Sequence, residues 1–179
     1  MKKLNAHTKI ITARLCLKTV SEQYKFDICK EFTPGVTRYM PFLPVGDIRD
    51  TETFIERSQQ ELIQGTAIHF CIVEKTSGDF LGCCGLHDID KKEVEIGLWL
   101  KKSAHGQGYG TETVKALIDL VEKNFVVNYI YYPVDVSNTQ SRRIPEKLGF
   151  AEEKFYDKKK SETDILHIVE YRKKYKYLY

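Results

Sequence analysis

The spacing of hydrophobic and polar residues predicts most of the secondary structure of this chain. Residues 10–18, IITARLCLK, alternate as a strand does, and residues 21–32 show helical spacing after a serine suited to capping. A proline-marked stretch, TPGVTRYMPFLPVGD, separates that helix from a second helix near residues 49–64. The first third of the chain is therefore predicted to run strand, helix, loop, helix.

Strand-like segments dominate the middle of the chain. AIHFCIVEK, DFLGCCGLHDID and EVEIGLWLK follow one another, and a turn at residues 76–79 joins the first two, which predicts an antiparallel meander. Residues 111–123 are predicted to form a helix with one buried face, because apolar residues recur there at i, i+3, i+4 and i+7. A strand, a short helix and two further strands follow at about residues 128–136, 139–148, 150–158 and 164–172.

These elements predict an α/β protein of the α+β type, with a mostly antiparallel, twisted sheet of about six or seven strands and about four helices. A length of 179 residues, of which 42% are hydrophobic, suits one globular domain over residues 1–179. The net charge of +3 lies toward the C-terminus, where residues 154–179 hold eight Lys/Arg against four Asp/Glu. We interpret this basic segment as solvated strand ends, and an acidic macromolecular partner stays open as the alternative.

The cysteines and the N-terminal residues bear on the compartment. Five cysteines form an odd set without CxxC spacing, and most have apolar neighbours, which predicts buried thiols in a reducing cytoplasm and no metal site. The basic N-terminal residues are not followed by the apolar core of a signal peptide, and no stretch is long enough to span a membrane as a helix. We therefore expect a cytoplasmic protein that is neither exported nor membrane-spanning.

Three glycines at alternate positions, Gly106, Gly108 and Gly110, stand between a predicted strand and a predicted helix. Glycine lets the backbone approach a ligand closely, and the N–H groups at a helix start form an anion site suited to a pyrophosphate. A P-loop needs Gly-Lys-Ser/Thr and a dinucleotide fingerprint needs GxGxxG, whereas this chain reads GxGxG followed by Thr111. The loop indicates a phosphate-containing ligand outside those two classes, and the alternative is a helix entry that binds nothing.

Two stretches, EIGLWLKKSAHGQGYGTETVKALI and NYIYYPVDVSNTQSRRIPEKLGF, resemble the GNAT N-acetyltransferase superfamily, specifically its RimJ/RimL-like branch. Members commonly show an E-I-G-x-W-L strand, a G-x-G-Y-(A/G)-T-E loop and an N-x-x-S…EKLGF segment, and TARLCLK is similar to their opening. The resemblance covers roughly residues 8–171. It implies a GNAT-like, splayed mixed sheet and an enzyme that transfers acetyl from acetyl-CoA to a primary amine in a ternary complex.

The resemblance implies that the co-substrate acetyl-CoA lies along the glycine loop and the strand before it. Backbone N–H groups would contact its pyrophosphate at Gly106, Gln107, Gly108, Tyr109, Gly110 and Thr111. His105 stands at the first position of the motif, where the family often has Gln or Arg, so no side-chain phosphate contact is implied there. The strand ends at Leu98, Trp99 and Leu100, where the family has a bulge that frees backbone groups for the pantetheine arm. Core packing is the alternative role of these side chains.

The start of the last predicted helix carries further implied site residues. Asn favours a helix N-cap, and the matching Asn of the family bonds the pantetheine, so both roles are open to Asn138. Many members place a tyrosine four residues beyond the position of Ser141 as proton donor to the leaving thiolate, but here Pro145 stands there. We therefore assign Ser141 as a cofactor contact and as the substitute proton donor, with local capping as the alternative.

A catalytic base must take a proton from the acceptor ammonium, directly or through water, because a protonated amine has no lone pair with which to attack. Glu95 is the first candidate, since the family pattern places it on the strand that faces the acceptor. The alternative is that the Glu95 carboxylate is solvated or salt-bridged and has no catalytic role. His69 and His87 on the neighbouring strands are further candidates, each with a structural role as its alternative.

The resemblance leaves the acceptor open. The RimJ/RimL-like branch favours the N-terminal amine of a protein, a ribosomal protein among them, while other members acetylate small-molecule amines. A non-catalytic CoA-binding protein stays open because the tyrosine donor is missing. A ribosome- or RNA-associated module would rest only on KKYKYLY and the basic C-terminal segment. We expect no membrane contact and no direct nucleic-acid binding, and a homodimer stays open.

Overall fold

The computed structural model describes residues 4–43 and 46–175. Within these residues it contains eight strands and four α-helices. The strands are β1 Lys9–Ile11, β2 Leu15–Thr19, β3 Ala67–Glu74, β4 Phe80–His87, β5 Glu93–Leu100, β6 Tyr129–Asp135, β7 Ala151–Lys159 and β8 Ile165–Lys174. The helices are α1 Lys25–Glu31, α2 Ile48–Gln64, α3 Tyr109–Asn124 and α4 Thr139–Lys147.

All eight strands form one sheet in the order β1-β2-β3-β4-β5-β6-β8-β7. Neighbouring strands run antiparallel except β5 and β6, which are parallel. The predicted mixed, mostly antiparallel sheet is confirmed, but residues 10–18 form two strands. The N–H of Thr12 donates to the carbonyl of Leu15 at 2.9 Å, and this tight turn divides the segment into β1 and β2.

Two apolar cores cover opposite faces of the sheet, because successive residues of a strand point to opposite sides. On one face, Ile72 of β3 and Leu117 of α3 are fully buried in the larger core. On the other face, Cys71 packs with Ile28 of α1 and Ile55 of α2. Helices α1 and α2 therefore pack on one side of β3 and β4, and α3 packs on the other side of the sheet, against β2, β4 and β5.

Helix α3 confirms the buried face that the sequence predicts, since Val114, Leu117 and Val121 are each 0% exposed. It begins at Tyr109, earlier than the periodicity indicates, because Gly108 is the N-cap residue and Gly110 already lies in the helix. The glycine motif is thus the first turn of the helix as well as the loop before it.

The structure also bears on two other expectations, that the cysteines are buried thiols and that no helix spans a membrane. Cys71, Cys83 and Cys84 are buried free thiols, and burial raises the pKa of Cys83 and Cys84 well above the ordinary value. No helix in the described parts of the chain is long and apolar enough to cross a membrane. Of the segment KKYKYLY, residues 176–179 lie outside the described residues.

Candidate active site

The site lies where β5 and β6 separate. These parallel strands pair only at three positions, from Glu93 with Tyr129 to Glu95 with Tyr131. Beyond them β5 continues along β4 as far as Leu100, while β6 continues along β8. The strands β5 and β6 therefore splay as the resemblance implied, whereas the β4–β5 ladder keeps its register to Leu100 and shows no bulge. In the described part of the sheet, the nearest register shift lies in the neighbouring β3–β4 pair, between Ile72 and Val73.

Two cavities meet at this separation. A larger cavity of about 620 Å³ opens on the side of α1 and α2, and a smaller one of about 320 Å³ opens toward the start of α3 and α4. Six residues line both cavities: Met40, Leu98, Trp99, Tyr132, Asn138 and Ser141. Ligands that enter from opposite faces of the sheet can therefore meet at these shared residues.

The glycine loop forms the wall of the smaller cavity. Gly108 has φ +80°, a left-handed conformation, and its carbonyl accepts from the N–H of Glu112 at 3.1 Å. Tyr109, Gly110 and Thr111 line the cavity in the first turn of α3. First-turn N–H groups have no intrahelical acceptor, and the helix dipole makes this end positive. The cavity wall is therefore suited to an anion.

Arg14 holds the loop from the side. Its Nε donates to the Glu112 carboxylate at 2.7 Å, and its Nη1 donates to the Gln107 carbonyl at 2.9 Å. The guanidinium carbon lies 4.5 Å from the Tyr109 ring centroid. Burial by itself raises the pKa of Glu112, but hydrogen bonds from Thr12 and Arg14 outweigh it and lower the pKa below the usual value. Arg14 stands in the TARLCLK opening but was not among the predicted site residues.

Two residues of the predicted loop use their side chains locally. The Nε2 of His105 lies 2.9 Å from the carbonyl of Leu100, and since a carbonyl only accepts, this nitrogen donates. The side-chain amide of Gln107 donates to the carbonyl of Ser103 at 2.8 Å. His105 lines the smaller cavity, whereas Gln107 does not belong to its described lining.

The three residues that end β5 divide between the faces of the sheet. Leu98 and Leu100 lie against the start of α3, where a Cβ on Gly110 would stand 3.3 Å and 3.8 Å from their methyl groups. Trp99 faces the larger cavity, and its ring centroid is 5.2 Å from that of Phe32. The core-packing alternative therefore describes the side chains of Leu98 and Leu100, while all three residues also line the smaller cavity.

Asn138 and Ser141 lie together at the start of α4. The side-chain oxygen of Asn138 accepts from the N–H of Ser141 at 3.2 Å, so Asn138 caps the helix while lining both cavities. Ser141 Oγ lies 2.8 Å from the hydroxyl of Tyr132. Tyr132 is 3% exposed, and burial raises its pKa to about 12 although the bond to Ser141 opposes the rise. Sequence reasoning missed Tyr132, which has the pattern of a core residue of its strand.

The three candidate bases lie on the floor of the larger cavity. Glu95 and His87 are cross-strand partners in the β4–β5 ladder, and His69 follows on β3. The His69 and His87 rings have centroids 4.9 Å apart. Burial and the neighbouring His87 lower the pKa of His69 to about 4, even though Glu61 accepts from its Nε2 at 2.8 Å. His69 is therefore neutral near pH 7, and its contact with Glu61 is a neutral-donor hydrogen bond.

Glu95 also lies beside Tyr131, its partner across the parallel pair. Burial and the Glu95 carboxylate raise the pKa of Tyr131, whose hydroxyl donates to Asp88 at 3.1 Å. This phenol consequently keeps its proton and can only donate or accept hydrogen bonds near neutral pH. With its lowered pKa His69 is a weak base, so Glu95 and His87 stay the candidates for the catalytic base.

The family of this chain can be read from comparison with known proteins. The model of the acetyltransferase (GNAT) domain matches residues 14–151. The chain belongs to the GNAT acetyltransferase family. It is therefore an acyltransferase, and the co-substrate of GNAT enzymes is acetyl-CoA. The uncharacterised N-acetyltransferase p20 of Bacillus licheniformis is 29% identical over 147 residues, which cover 80% of this chain and 83% of p20.

Solved structures show the same fold for this GNAT chain. RimJ of Mycobacterium smegmatis, in complex with CoA-disulfide, has a TM-score of 0.84 and 16% identity over 94% of this chain and 88% of its own. An acetyltransferase of Salmonella typhimurium that modifies the N-terminal serine of ribosomal protein L7/L12 has a TM-score of 0.81 and 16% identity. That match covers 94% of this chain and all 100% of the Salmonella chain. The predicted GNAT fold of the RimJ/RimL type is confirmed.

Proposed function

We propose that this GNAT enzyme acetylates the α-amine at the N-terminus of a protein. The observation that carries the proposal is the meeting of two cavities at Tyr132, Asn138 and Ser141. The smaller cavity has the anion-suited wall of the α3 start and would take the CoA arm. The larger cavity, with Glu95 and His87 on its floor, would take the amine.

The residues at the smaller cavity fit acetyl-CoA. A Cβ at Gly108 would stand 3.4 Å from Arg14 Nη2, and Gly106 has open space around it at φ +75°. The backbone of the loop is therefore free for close approach by a phosphate group, with the N–H groups of Tyr109, Gly110 and Thr111 as donors. Asn138 would bond the amide-bearing arm where the cavities meet.

Acid–base groups stand on both sides of the meeting point. Bound acetyl-CoA supplies an acetyl thioester whose sulfur leaves as a thiolate. Glu95 takes the proton of the acceptor ammonium through a water, so that the free amine can attack, and His87 lies beside it as the alternative acceptor of this proton. Ser141 donates a hydrogen bond to the leaving thiolate, which takes up the second proton that the attacking nitrogen loses as the C–S bond breaks. The non-catalytic alternative rested on the missing tyrosine of α4, and Tyr132 places a phenol beside Ser141 from another element.

Support for a protein acceptor comes from the relatives, because the Salmonella neighbour modifies an N-terminal serine. A small-molecule amine is the second candidate, since the larger cavity has the volume of a pocket for a single small ligand. The two acceptors share the reacting amine and differ only in the size of the molecule attached to it.

A thiol-release assay with acetyl-CoA tests the function. The acceptor panel contains peptides with free N-termini, the same peptides with blocked N-termini, amino acids, polyamines and aminoglycosides. We expect thiol release with the free peptides and a mass increase of one acetyl group at their first residue. Turnover of small amines alone would overturn the protein acceptor, and tight acetyl-CoA binding without any turnover would overturn the enzyme assignment.

A further inference from the structure

The larger cavity has a mostly apolar wall. Aromatic and aliphatic side chains line it from α1, α2, the segment between them and the sheet: Ile28, Phe32, Met40, Phe54, Trp99 and Ile168. Phe32 and Trp99 form one ring pair at 5.2 Å, and Phe54 meets the edge of His69 at 5.5 Å. A group in contact with this wall must itself be apolar to gain from leaving water.

The larger cavity has few free carboxylates that could bind a second cation. Asp47 is engaged by Arg49, which donates to it from backbone and side chain. Arg57 lines the cavity as a cation and forms an ion pair with Glu61 at 3.7 Å, so it offers no site for an ammonium. Lys158 adds another positive charge. A polyamine or an aminoglycoside would need several free carboxylates, so the charge pattern suits a single ammonium.

The remaining carboxylates stand at two different depths. Asp50 lies exposed in the first turn of α2, and Glu95 lies on the sheet beside His87. Phe32, Phe54 and Trp99 line the same cavity as Glu95, so an ammonium that pairs with this carboxylate shares the cavity with these rings. The cavity therefore offers one carboxylate for an ammonium and aromatic rings for the group attached to the amine.

The wall is also held in place. Lys160, whose side chain is 8% exposed, donates from Nζ to the carbonyls of Thr37 and Arg38 at 3.1 and 2.6 Å. This ammonium ties the segment after α1, which carries Met40, to the β7–β8 hairpin, which carries Tyr156. An apolar wall anchored at both sides is better able to discriminate between side chains than a loose one.

We propose that the acceptor amine is attached to an apolar or aromatic side chain, so that a protein substrate begins with a residue such as Phe or Leu rather than Ser. This inference rests on the proposed function and narrows its substrate. It separates this chain from its Salmonella neighbour, which modifies a serine. An apolar pocket discriminates by about 10- to 200-fold for a missing methylene, so a missing aromatic ring gives at least roughly tenfold.

The test uses the full chain, acetyl-CoA and peptides that are identical except for the first residue, which is Phe, Leu, Ser or Lys. We expect kcat/KM to be at least about tenfold higher for the Phe and Leu peptides than for the Ser and Lys peptides. Phenethylamine and spermidine, compared as free amines, are expected to follow the same order. A Ser or Lys peptide that equals or exceeds the Phe peptide overturns the inference and leaves the proposed function standing. No turnover of any peptide overturns the proposed function and the inference with it.

Two variants locate the preference in the cavity wall. Phe32→Ala is expected to lower kcat/KM for the Phe peptide about tenfold, to leave the Ser peptide within about twofold, and to leave acetyl-CoA affinity unchanged. Phe26→Ala is the matched control, because Phe26 lies in α1, whose C-cap residue is Phe32, is 75% exposed and is absent from the described lining of both cavities. Phe32→Leu repeats the test if the alanine variant does not fold. An equal loss for both peptides assigns Phe32 to folding and overturns the inference.

Discussion

The hydroxyl oxygens of Tyr132 and Ser141 lie 2.8 Å apart where the two cavities meet. Tyr132 belongs to β6 and Ser141 to α4, so the bond joins a strand of the splayed pair to the helix that follows it. Near neutral pH the phenol keeps its proton, because burial raises its pKa to about 12. Either hydroxyl can donate in this bond, and when the phenol donates, the serine proton is free to point toward the space where the sulfur would lie.

From this pair we expect Ser141→Ala to lower kcat by roughly tenfold to a thousandfold, around or below the usual effect of a positioned acid–base group. Acetyl-CoA affinity should change little. Tyr132→Phe should lower kcat by less, and the double variant should be no slower than Ser141→Ala, because Tyr132 acts through the serine. Steady-state kinetics and calorimetry measure these quantities, with Ser137→Ala as an exposed control. Retained kcat with a lowered Tm would make Ser141 a structural residue.

Gly108 caps the start of α3 at the proposed CoA site and has a left-handed backbone conformation. Gly108→Val should abolish acetyl-CoA binding, since valine is strained at φ +80° and its Cβ would approach Arg14. Gly78→Val is a matched control, because Gly78 has φ +79° with open space around it in the β3–β4 turn. Both variants should lose similar stability to the backbone strain. Calorimetry that shows parent-like acetyl-CoA binding by Gly108→Val would place the phosphate site elsewhere.

Glu95 is expected to matter most when the acceptor amine is protonated. Glu95→Gln should therefore lower kcat chiefly at low pH, where a base is needed, and less at high pH, where free amine is abundant. Glu93→Gln on the same strand is the control, since Glu93 accepts from Asn128 at 3.0 Å outside both described cavity linings. A pH–rate profile that Glu95→Gln leaves unchanged, but that His87→Gln alters, would move the base to His87.

His69 is expected to affect stability rather than the proton transfer. Its pKa is lowered to about 4 in the folded chain from an ordinary 6.5, so the unfolded chain binds more protons between these values. Stability therefore falls as pH decreases through this window, by at most about 1.4 kcal/mol per pH unit. His69→Gln should flatten the dependence, while His7→Gln at an exposed turn should not. Denaturant midpoints between pH 4 and 7 measure it, and an unchanged slope would contradict the neutral state of His69.

Local sequence patterns were enough for the fold and for placing the glycine loop at the start of a helix. The i, i+3, i+4 spacing that marks Val114 and Leu117 and the strand alternation depend only on neighbouring residues, and the glycine motif lies within one short segment. Arg14 and Glu112 are 98 residues apart, and their contact exists only after β2 and α3 pack. Tyr132 alternates as an ordinary core residue does, so its bond to Ser141 had no sequence signal. The site residues that were missed are those that tertiary packing brings together.

The sequence around Lys160 predicts a solvated side chain, whereas the structure buries it. Lys160 ends the lysine run at residues 158–160, which has the pattern of solvated charge, yet its side chain is 8% exposed and donates to the carbonyls of Thr37 and Arg38. Hydrogen bonds to a charged group contribute about 1.5–3 kcal/mol. Part of this energy holds the wall of the larger cavity, because Tyr39 and Met40 follow the bonded carbonyls directly.

Lys160→Met keeps the length of the side chain and removes the ammonium. We expect the acceptor KM to rise roughly tenfold, as for a loss of about 1.4 kcal/mol, because the wall is no longer fixed, while the KM for acetyl-CoA stays within about twofold. Lys160→Arg, which retains donors for the two carbonyls, should recover part of the loss. Lys159→Met is the control, since Lys159 is the exposed neighbour at the end of β7. Equal rises in both KM values, or no rise in either, would show that the Lys160 contacts stabilise the hairpin without shaping the acceptor site.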